Sequence, residues 1–188
     1  MDQDYRCVWC EGDALYIEYH DTQWGVPQFD PAVLFEFLIL EGAQAGLSWI
    51  TILRKRENYR QAFDGFDARL IAQYGDKKIN ELLRNAGIVR NKLKINSTIS
   101  NAQAFLTLEA NEGFANYLWS FVGHKPIQNS WQQISDIPAQ TQESEAISKG
   151  LKLKGFCFVG PTICYAFMQA MGMVNDHEVA CFRHKECS

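Results

Sequence analysis

Two cysteines and two histidines near the two ends of the chain are of the types that bind metal ions. Cys7 and His20 lie near its start, and His177 and Cys181 lie near its end. The i, i+4 spacing of the second pair predicts that both side chains lie on one face of a helix. Two thiolates and two imidazoles form a closed tetrahedral set, which is typical of a structural rather than a catalytic zinc site. One such Zn²⁺ ion would fasten the two ends of the chain together, with a binding free energy of about 10 kcal/mol or more in small peptides.

Other cysteines and histidines leave the ligand set open when the residues are considered alone. The segment from Cys7 to Cys10 has the C-x-x-C spacing of a redox pair, or of two ligands to one metal. His184 and Cys187 are further candidate ligands near the end of the chain. A redox protein that uses Cys10 is therefore a competing hypothesis.

The first fifty residues combine aromatic rings with one unusually placed carboxylate. Glu41 follows an almost wholly apolar segment, PAVLFEFLIL, where a carboxylate is costly unless it finds a donor or a cation. Aromatic side chains of this kind can stack on the face of a planar ring in a ligand. The pattern favours a pocket, although an aromatic core and a solvated glutamate are the competing interpretation. The rings are Trp9, Tyr16, Tyr19, Trp24 and Trp49.

A tight turn between two helices near the end of the chain could bind an anion. A basic helix over residues 146–154 carries Lys149, Lys152 and Lys154 and stops at Gly155. An apolar helix then runs from Pro161 after the segment GFCFVG, whose last residue is Gly160. Glycines at both ends of the turn allow close approach, and the unpaired N–H groups of the second helix favour phosphate. A plain helical hairpin within a bundle is the alternative.

Helical signals dominate the elements that must position these residues. Asp30 with Pro31, Ser48, Asp67 and Asp76 mark four helix starts, the second helix continuing as far as Phe63. A longer helix carries Ile95 to Phe105 and ends near Gly113, and residues 114–122 form another. Residues 124–143 are interpreted as a polar connection within one domain. With no series of alternating strands, the predicted fold class is all-α.

Composition limits the class of protein further. The chain has 188 residues, 47% hydrophobic and 21% charged, with a net charge of −4, which fits one folded domain. The charge argues against a strongly basic scaffold, although local distribution matters more than the sum. No secretion signal or membrane-spanning run is present, so we expect a soluble cytoplasmic protein with six free or metal-bound cysteines.

Four segments carry a resemblance to a known family. YIEYHDTQWGVP, LEGAQAGLSWITILRKRENYR, FVGPTICYAFMQAMGMVNDH and the terminal HEVAC resemble the bacterial DNA-3-methyladenine glycosylase I family. The resemblance covers nearly the whole chain and is weakest over residues 124–143. It implies a helix–hairpin–helix DNA glycosylase fold, with the hairpin at about residues 146–172. It also implies a structural zinc that joins the terminal segments 1–24 and 175–188 in a single unit, 1–188.

The same resemblance assigns roles to individual residues. Cys7, His20, His177 and Cys181 correspond to the family's zinc ligands, and Glu41 to the carboxylate that contacts the methylated adenine. Tyr19 and Trp49 correspond to its stacking walls, with Trp9, Tyr16 and Trp24 nearby, and Leu47 is a candidate for filling the gap left by the extruded base. The DNA-binding residues expected in the hairpin are Gly155, Gly160, Lys149, Lys152 and Lys154.

The implied reaction is hydrolysis of the N-glycosidic bond of 3-methyladenine after the base is flipped out of alkylated duplex DNA. The expected enzyme is a monomer that uses water rather than a lysine nucleophile and leaves an abasic site. The resemblance assigns no general base. Asp176 is interpreted as a helix cap or as a group that supports the zinc ligands. The rival hypotheses are a zinc-dependent nucleobase deaminase and a non-enzymatic sensor of DNA damage. The sequence lacks the combined H-x-E and P-C-x-x-C pattern that such a deaminase requires.

Overall fold

The protein was analysed as a computed structural model that describes residues 5–188, so the first four residues of the expected N-terminal zinc segment lie outside the described residues. The described chain is mostly helical. No helix within this part combines the length and hydropathy needed to cross a membrane. The helices are α1 (Ala14–Thr22), α2 (Pro31–Gln44), α3 (Trp49–Leu53), α4 (Arg56–Ala62), α5 (Ala68–Ile71), α6 (Asp76–Arg84), α7 (Lys92–Asn111), α8 (Phe114–Ser120), α9 (Gln142–Leu153), α10 (Pro161–Ala170) and α11 (Phe182–Glu186).

Helix α2 forms the centre of the molecule and carries Glu41 in its last turn. Its start was predicted correctly, because the Asp30 carboxylate accepts a hydrogen bond from the Ala32 N–H and Pro31 occupies the first helical position. Most of its side chains are buried on all sides by α3, α7, α8 and α10. A helix that is apolar all round requires this position inside a bundle.

Two predicted boundaries were wrong for local reasons. The helix expected from Ser48 to Phe63 is interrupted at Arg54 and Lys55, which separate α3 from α4. The basic helix expected from residue 146 begins four residues earlier, because Thr141 caps α9. The Thr141 and Ser144 side chains bond each other's backbone N–H groups in a capping box, which stabilises this earlier first turn.

The predicted helix–turn–helix near the end of the chain is present as α9, the turn 155–160 and α10. Gly155 has a φ of +93°, which a glycine adopts without the steric cost that a side chain would add. The Ser148 hydroxyl donates to the Val159 carbonyl at 2.6 Å, which holds the turn against α9. The Asn101 side chain of α7 bonds both backbone groups of Cys157, so the turn is fixed from two sides.

A short parallel ladder is the one departure from an all-helical description among residues 5–188. Strand β1 (Ile127–Gln128) pairs with β2 (Val174–Asn175), with Ile127 opposite Val174. The ladder attaches the connection 124–143 to the segment that follows α10. Backbone hydrogen bonds therefore hold part of the connection against the segment after α10.

Candidate active site and metal site

Four side chains from the two ends of the chain meet in one buried cluster. The ligand atoms of Cys7, His20, His177 and Cys181 all lie within 4.8 Å of one another. Cys181 Sγ lies 3.5 Å from His20 Nε2 and 3.7 Å from His177 Nδ1. Zinc–sulfur and zinc–nitrogen bonds at a tetrahedral centre place sulfur and nitrogen about 3.6 Å apart, so these donors fit a Zn²⁺ ion.

The local structure of the second ligand pair differs from the prediction. His177 and Cys181 do not share a helix face, because residues 177–181 form turns and Cys181 precedes the first residue of α11. The turn is closed by a hydrogen bond from the Cys181 N–H to the Glu178 carbonyl at 2.8 Å. A tight turn therefore brings the two ligand atoms together as a helical turn would have done.

Groups around the cluster orient its ligands. His20 Nδ1 lies 2.8 Å from Asp21 Oδ1, and Asp21 is itself paired with Arg6. His177 Nε2 lies 3.2 Å from the Trp24 carbonyl oxygen. Each imidazole can thus donate one N–H outward and direct its other nitrogen to the cluster, as metal-binding histidines do. The hydrogen bond between the two thiols lowers the pKa of Cys181 and raises the pKa of Cys7, so Cys181 loses its proton first.

The remaining candidate ligands are outside this set. Among the described residues, the cluster of His, Cys, Asp and Glu side chains that can share one ion contains neither Cys10 nor Cys187 nor His184. Cys10 is fully buried and its thiol donates to the Cys7 carbonyl oxygen at 3.1 Å. His184 Nε2 lies 2.9 Å from the Asn129 carbonyl oxygen.

A cavity of about 350 Å³ lies beside the cluster, and all of the predicted pocket residues line it. This volume is within the range of natural small-ligand sites. It is lined by Trp9, Tyr16, Tyr19, Trp24, Glu41, Gln44, Trp49, Ile134, Ile137, Pro138, Ala139, Thr162, Tyr165, Ala166 and Gln169. The aromatic rings and the carboxylate therefore form one pocket rather than a solid core.

Glu41 is a buried acid without a partner. Only 4% of the residue is exposed, and its carboxylate makes no hydrogen bond or ion pair with the described residues. Burial raises the pKa of Glu41 to about 8, since the ionised form is deprived of water. Such a group binds best to a ligand that brings either a donor or a positive charge into the pocket.

The aromatic walls connect this pocket to the metal cluster. Tyr19 and Trp49 stand with ring centroids 5.6 Å apart, and burial raises the pKa of Tyr19 well above its usual value. The Trp49 indole N–H is buried without a hydrogen-bond partner among the described residues. Trp9 contacts the His20 ring at 5.4 Å and Trp24 contacts the His177 ring at 4.6 Å, so the pocket wall rests directly on the ligands.

Part of the pocket was missed by sequence reasoning. Ile134, Ile137 and Pro138 form a wall from the connection 124–143, which was interpreted only as polar. Tyr165 and Gln169 of α10 form another part. The spacing of Ile134, Ile137 and Pro138 within a polar segment is the signal that could have indicated a buried contact.

Asp176 does not have either of the roles expected of it. Its carboxylate is buried and caps no helix, and its hydrogen-bond partners include none of the four candidate ligands. It instead joins α10 to the connection 124–143 by accepting four hydrogen bonds of 2.6 to 2.8 Å. The donors are Asn129 Nδ2, Trp131 Nε1, Tyr165 hydroxyl and Gln169 Nε2.

Of the candidate DNA-binding residues, Leu47, Gly155 and Gly160 lie in turns, whereas Lys149 and Lys152 lie on α9. Leu47 is 43% exposed and lines a smaller cavity of about 180 Å³ that adjoins the pocket at Glu41 and Gln44. Lys149 and Lys152 are exposed, whereas Lys154 is paired with Glu112.

At the start of α10, Gly160 has ordinary extended backbone, and no side chain caps the helix. Its first N–H groups therefore remain available to another molecule.

Comparison with known proteins agrees with this arrangement. A family model described as methyladenine glycosylase matches residues 9–184. The chain is 52% identical over 177 residues to DNA-3-methyladenine glycosylase 1 of Escherichia coli (strain K12), covering 94% of this chain and 95% of that protein.

Two solved structures are also similar to this chain. A crystal structure of 3-methyladenine DNA glycosylase I has a TM-score of 0.93 and 52% identity, covering 95% of this chain and 98% of the other. The enzyme of that name from Staphylococcus aureus, whose structure concerns 3-methyladenine recognition, has a TM-score of 0.91 and 36% identity, with coverage of 94% and 95%. The chain belongs to the methyladenine glycosylase family.

Proposed function

We propose that this chain is a DNA glycosylase that flips 3-methyladenine out of alkylated duplex DNA and hydrolyses its N-glycosidic bond. The observation that carries the proposal is the unpartnered Glu41 carboxylate inside a cavity walled by aromatic rings. The similarity to 3-methyladenine glycosylases in fold and sequence supports the same activity.

Selectivity follows from the energy of ionising Glu41. An adenine methylated at N3 carries positive charge while it is attached to the sugar, so it offsets the desolvation of a carboxylate and attracts the faces of Tyr19 and Trp49. A normal adenine is neutral, so it does not offset the desolvation of the Glu41 carboxylate. The pocket therefore binds the damaged base more strongly than an undamaged base of similar shape.

The chemistry needs little further assistance from the protein. Cleavage of the bond to N9 releases a neutral base, and the positive charge passes to the sugar, where water adds and gives an abasic site. Because the base is already a good leaving group, we assign no lysine nucleophile and propose a monofunctional enzyme. We propose that Glu41 acts mainly at the binding step, where its carboxylate selects the cationic base, and that the reactivity of this base drives the cleavage.

We propose that the helix–turn–helix 146–172 positions the enzyme on the DNA backbone, which places the chain in the helix–hairpin–helix superfamily. The free N–H groups at the start of α10 and the exposed Lys149 and Lys152 would bind phosphate without reading sequence. Leu47 would fill the gap left by the base, which reduces the cost of extrusion. We propose that one monomer, folded as a single unit, acts on the duplex.

We also propose that Cys7, His20, His177 and Cys181 hold one structural Zn²⁺ ion. The closed donor set leaves no position for substrate, so the ion would support the fold and supply no step of the reaction. Because His20 contacts Trp9 and His177 contacts Trp24, the ion would also fix one wall of the pocket.

The direct test is to identify the base that the protein releases from alkylated duplex DNA. We expect free 3-methyladenine, and a fall of about 100-fold in kcat/KM for Glu41→Gln, because the neutral amide cannot stabilise the cationic base. The matched control is Glu18→Gln on the exposed face of α1, which should retain full activity.

Other products would contradict the proposal in distinguishable ways. Binding to alkylated DNA without release of a base would indicate a sensor of damage. Conversion of an amino group to a carbonyl group would indicate a deaminase. An undiminished rate for Glu41→Gln would remove Glu41 from the site.

A further inference from the structure

Lys94 contacts backbone carbonyl groups at the end of α2. Its ammonium donates to two backbone carbonyls, those of Ala43 and Ala45, at 2.7 Å each. Both carbonyls lie at the C-terminal end of α2, where helix carbonyls lack partners within the helix. The side chain is half-buried between α2 and α7, so its position is fixed along most of its length.

The turn that follows those carbonyls presents Leu47. Gly46 has a φ of +80°, and the Leu47 N–H donates back to the Gln44 carbonyl at 2.6 Å. These features define a tight turn over residues 44–48, with the Leu47 side chain exposed at its tip. The Ala45 carbonyl, which Lys94 binds, is within this turn.

The contact of Lys94 with the Ala43 and Ala45 carbonyls provides the rigid backbone that an inserting side chain requires. A leucine that enters a base stack must be held by rigid backbone, since a mobile turn would lose conformational freedom on each insertion. A cation at the end of a helix also interacts favourably with the negative end of its dipole. Among the described residues, Lys94 is the cationic side chain that binds the carbonyl groups at the end of α2.

We propose that Lys94 is a positioning residue that holds the 44–48 turn so that Leu47 is directed toward the duplex. This inference rests on the proposed function, because it concerns extrusion of the base from DNA. Lys94 lies on α7 and is not among the residues that line the pocket, so it acts through Leu47 rather than on the reacting atoms.

The test compares Lys94→Met, Leu47→Ala and the double variant in two assays. We expect each single variant to lower excision from duplex DNA by about tenfold, and the double variant to be no lower than Leu47→Ala alone. Binding of free 3-methyladenine, measured by tryptophan fluorescence, should stay within about twofold of the parent, because a free base needs no extrusion.

Lys92→Met is the matched control. Lys92 lies two residues earlier on α7, is exposed and binds no carbonyl of the described residues, so the variant removes the same charge without disturbing the turn. Lys92→Met should change the rate of excision by the same factor in the parent protein and in the Leu47→Ala variant. Lys94→Gln, which keeps a donor for one carbonyl, should show the same dependence on Leu47 and replaces Lys94→Met if that variant does not fold.

Three results would overturn the inference. Unchanged excision would show that the contact is dispensable. Losses that multiply in the double variant would show that Lys94 acts independently of Leu47. A parallel loss of free-base binding would place Lys94 in support of the pocket. The proposed function fails separately, if the parent protein itself releases no 3-methyladenine.

Discussion

Glu41 is held at the centre of the molecule without any contact that would stabilise its charge. The apolar segment before it allowed this residue to be singled out from the sequence, because a carboxylate in such surroundings is unusual. The absence of a partner could not be predicted, since the potential donors Tyr165 and Gln169 of α10 are distant in sequence. A stable fold has in this case retained a group that favours ligand binding over stability.

The raised pKa of Glu41 predicts that stability falls with pH. The folded protein holds the proton up to about pH 8, whereas the unfolded chain releases it near 4.5, so folding is progressively disfavoured between these values. The full effect corresponds to about 5 kcal/mol of unfolding free energy above pH 8. Glu41→Gln lacks this ionisation, so its melting temperature relative to the parent should increase from pH 5 to pH 8.

Thermal unfolding at several pH values checks this expectation. The exposed Glu18→Gln is the control, and its difference from the parent should remain flat over the same range. A flat difference for Glu41→Gln as well would mean that a group outside the described contacts stabilises the carboxylate.

At the scale of the elements, α7 acts as a support that runs beneath the predicted DNA-facing surface. Near its start, Lys94 binds the end of α2, and near its middle Asn101 binds the turn 155–160. Beyond its end, Glu112 pairs with Lys154, the residue that follows α9. One helix therefore fixes the Leu47 turn and the hairpin relative to each other.

Removing the middle support should weaken DNA binding. Asn101→Ala removes the two hydrogen bonds with Cys157, at 2.7 and 3.0 Å, and leaves backbone groups unpaired. We expect a loss of about 1–3 kcal/mol in unfolding free energy. Affinity for duplex DNA should fall as the turn becomes mobile, while binding of free 3-methyladenine is retained.

Asn96→Ala provides the comparison for this experiment, since Asn96 is exposed on the same helix. Urea unfolding and DNA binding should be unchanged in that variant. Equal behaviour of the two variants would show that the Asn101 contacts do not support the hairpin.

Element boundaries were predictable where a side chain caps the helix. Asp30 and Asp67 each accept a hydrogen bond from the first turn of the following helix. Prediction failed at the break after Leu53, because the segment TILRKRENY contains no glycine or proline that would mark it. It also failed at His177 and Cys181, because a turn can produce the same side-chain proximity as the expected helix.

On the scale of the whole molecule, the cluster of Cys7, His20, His177 and Cys181 joins segments more than 150 residues apart in sequence. Residue types alone left other cysteines and histidines open, but with the family resemblance these four members could be named. Their partners could not, because Asp21 and the Trp24 carbonyl become relevant only when the two segments meet. The pocket wall from residues 134–139 was missed for the same reason.

Loss of one ligand should therefore affect metal content and stability together. Cys181→Ser should lower bound zinc, and we expect a fall in melting temperature of about 10 °C or more, since each kcal/mol corresponds to about 2–4 °C in a chain of this size. Zinc analysis and thermal unfolding of the same samples check both quantities.

Cys10→Ser is the matched control, because Cys10 is equally buried but directs its thiol to a backbone carbonyl that a hydroxyl can also bind. It should keep the parent zinc content. Full zinc occupancy in Cys181→Ser would assign the fourth ligand to Cys187 or Cys10 instead.

The contact of Trp9 and Trp24 with the ligand histidines has a consequence for synthesis of the protein. A growing polypeptide displays Cys7 and His20 early but has no complete donor set until residue 181 has left the ribosome. Trp9 and Trp24 gain their contacts with both histidines only at that stage. We therefore expect a chain that stops before residue 181 to lack an ordered pocket wall.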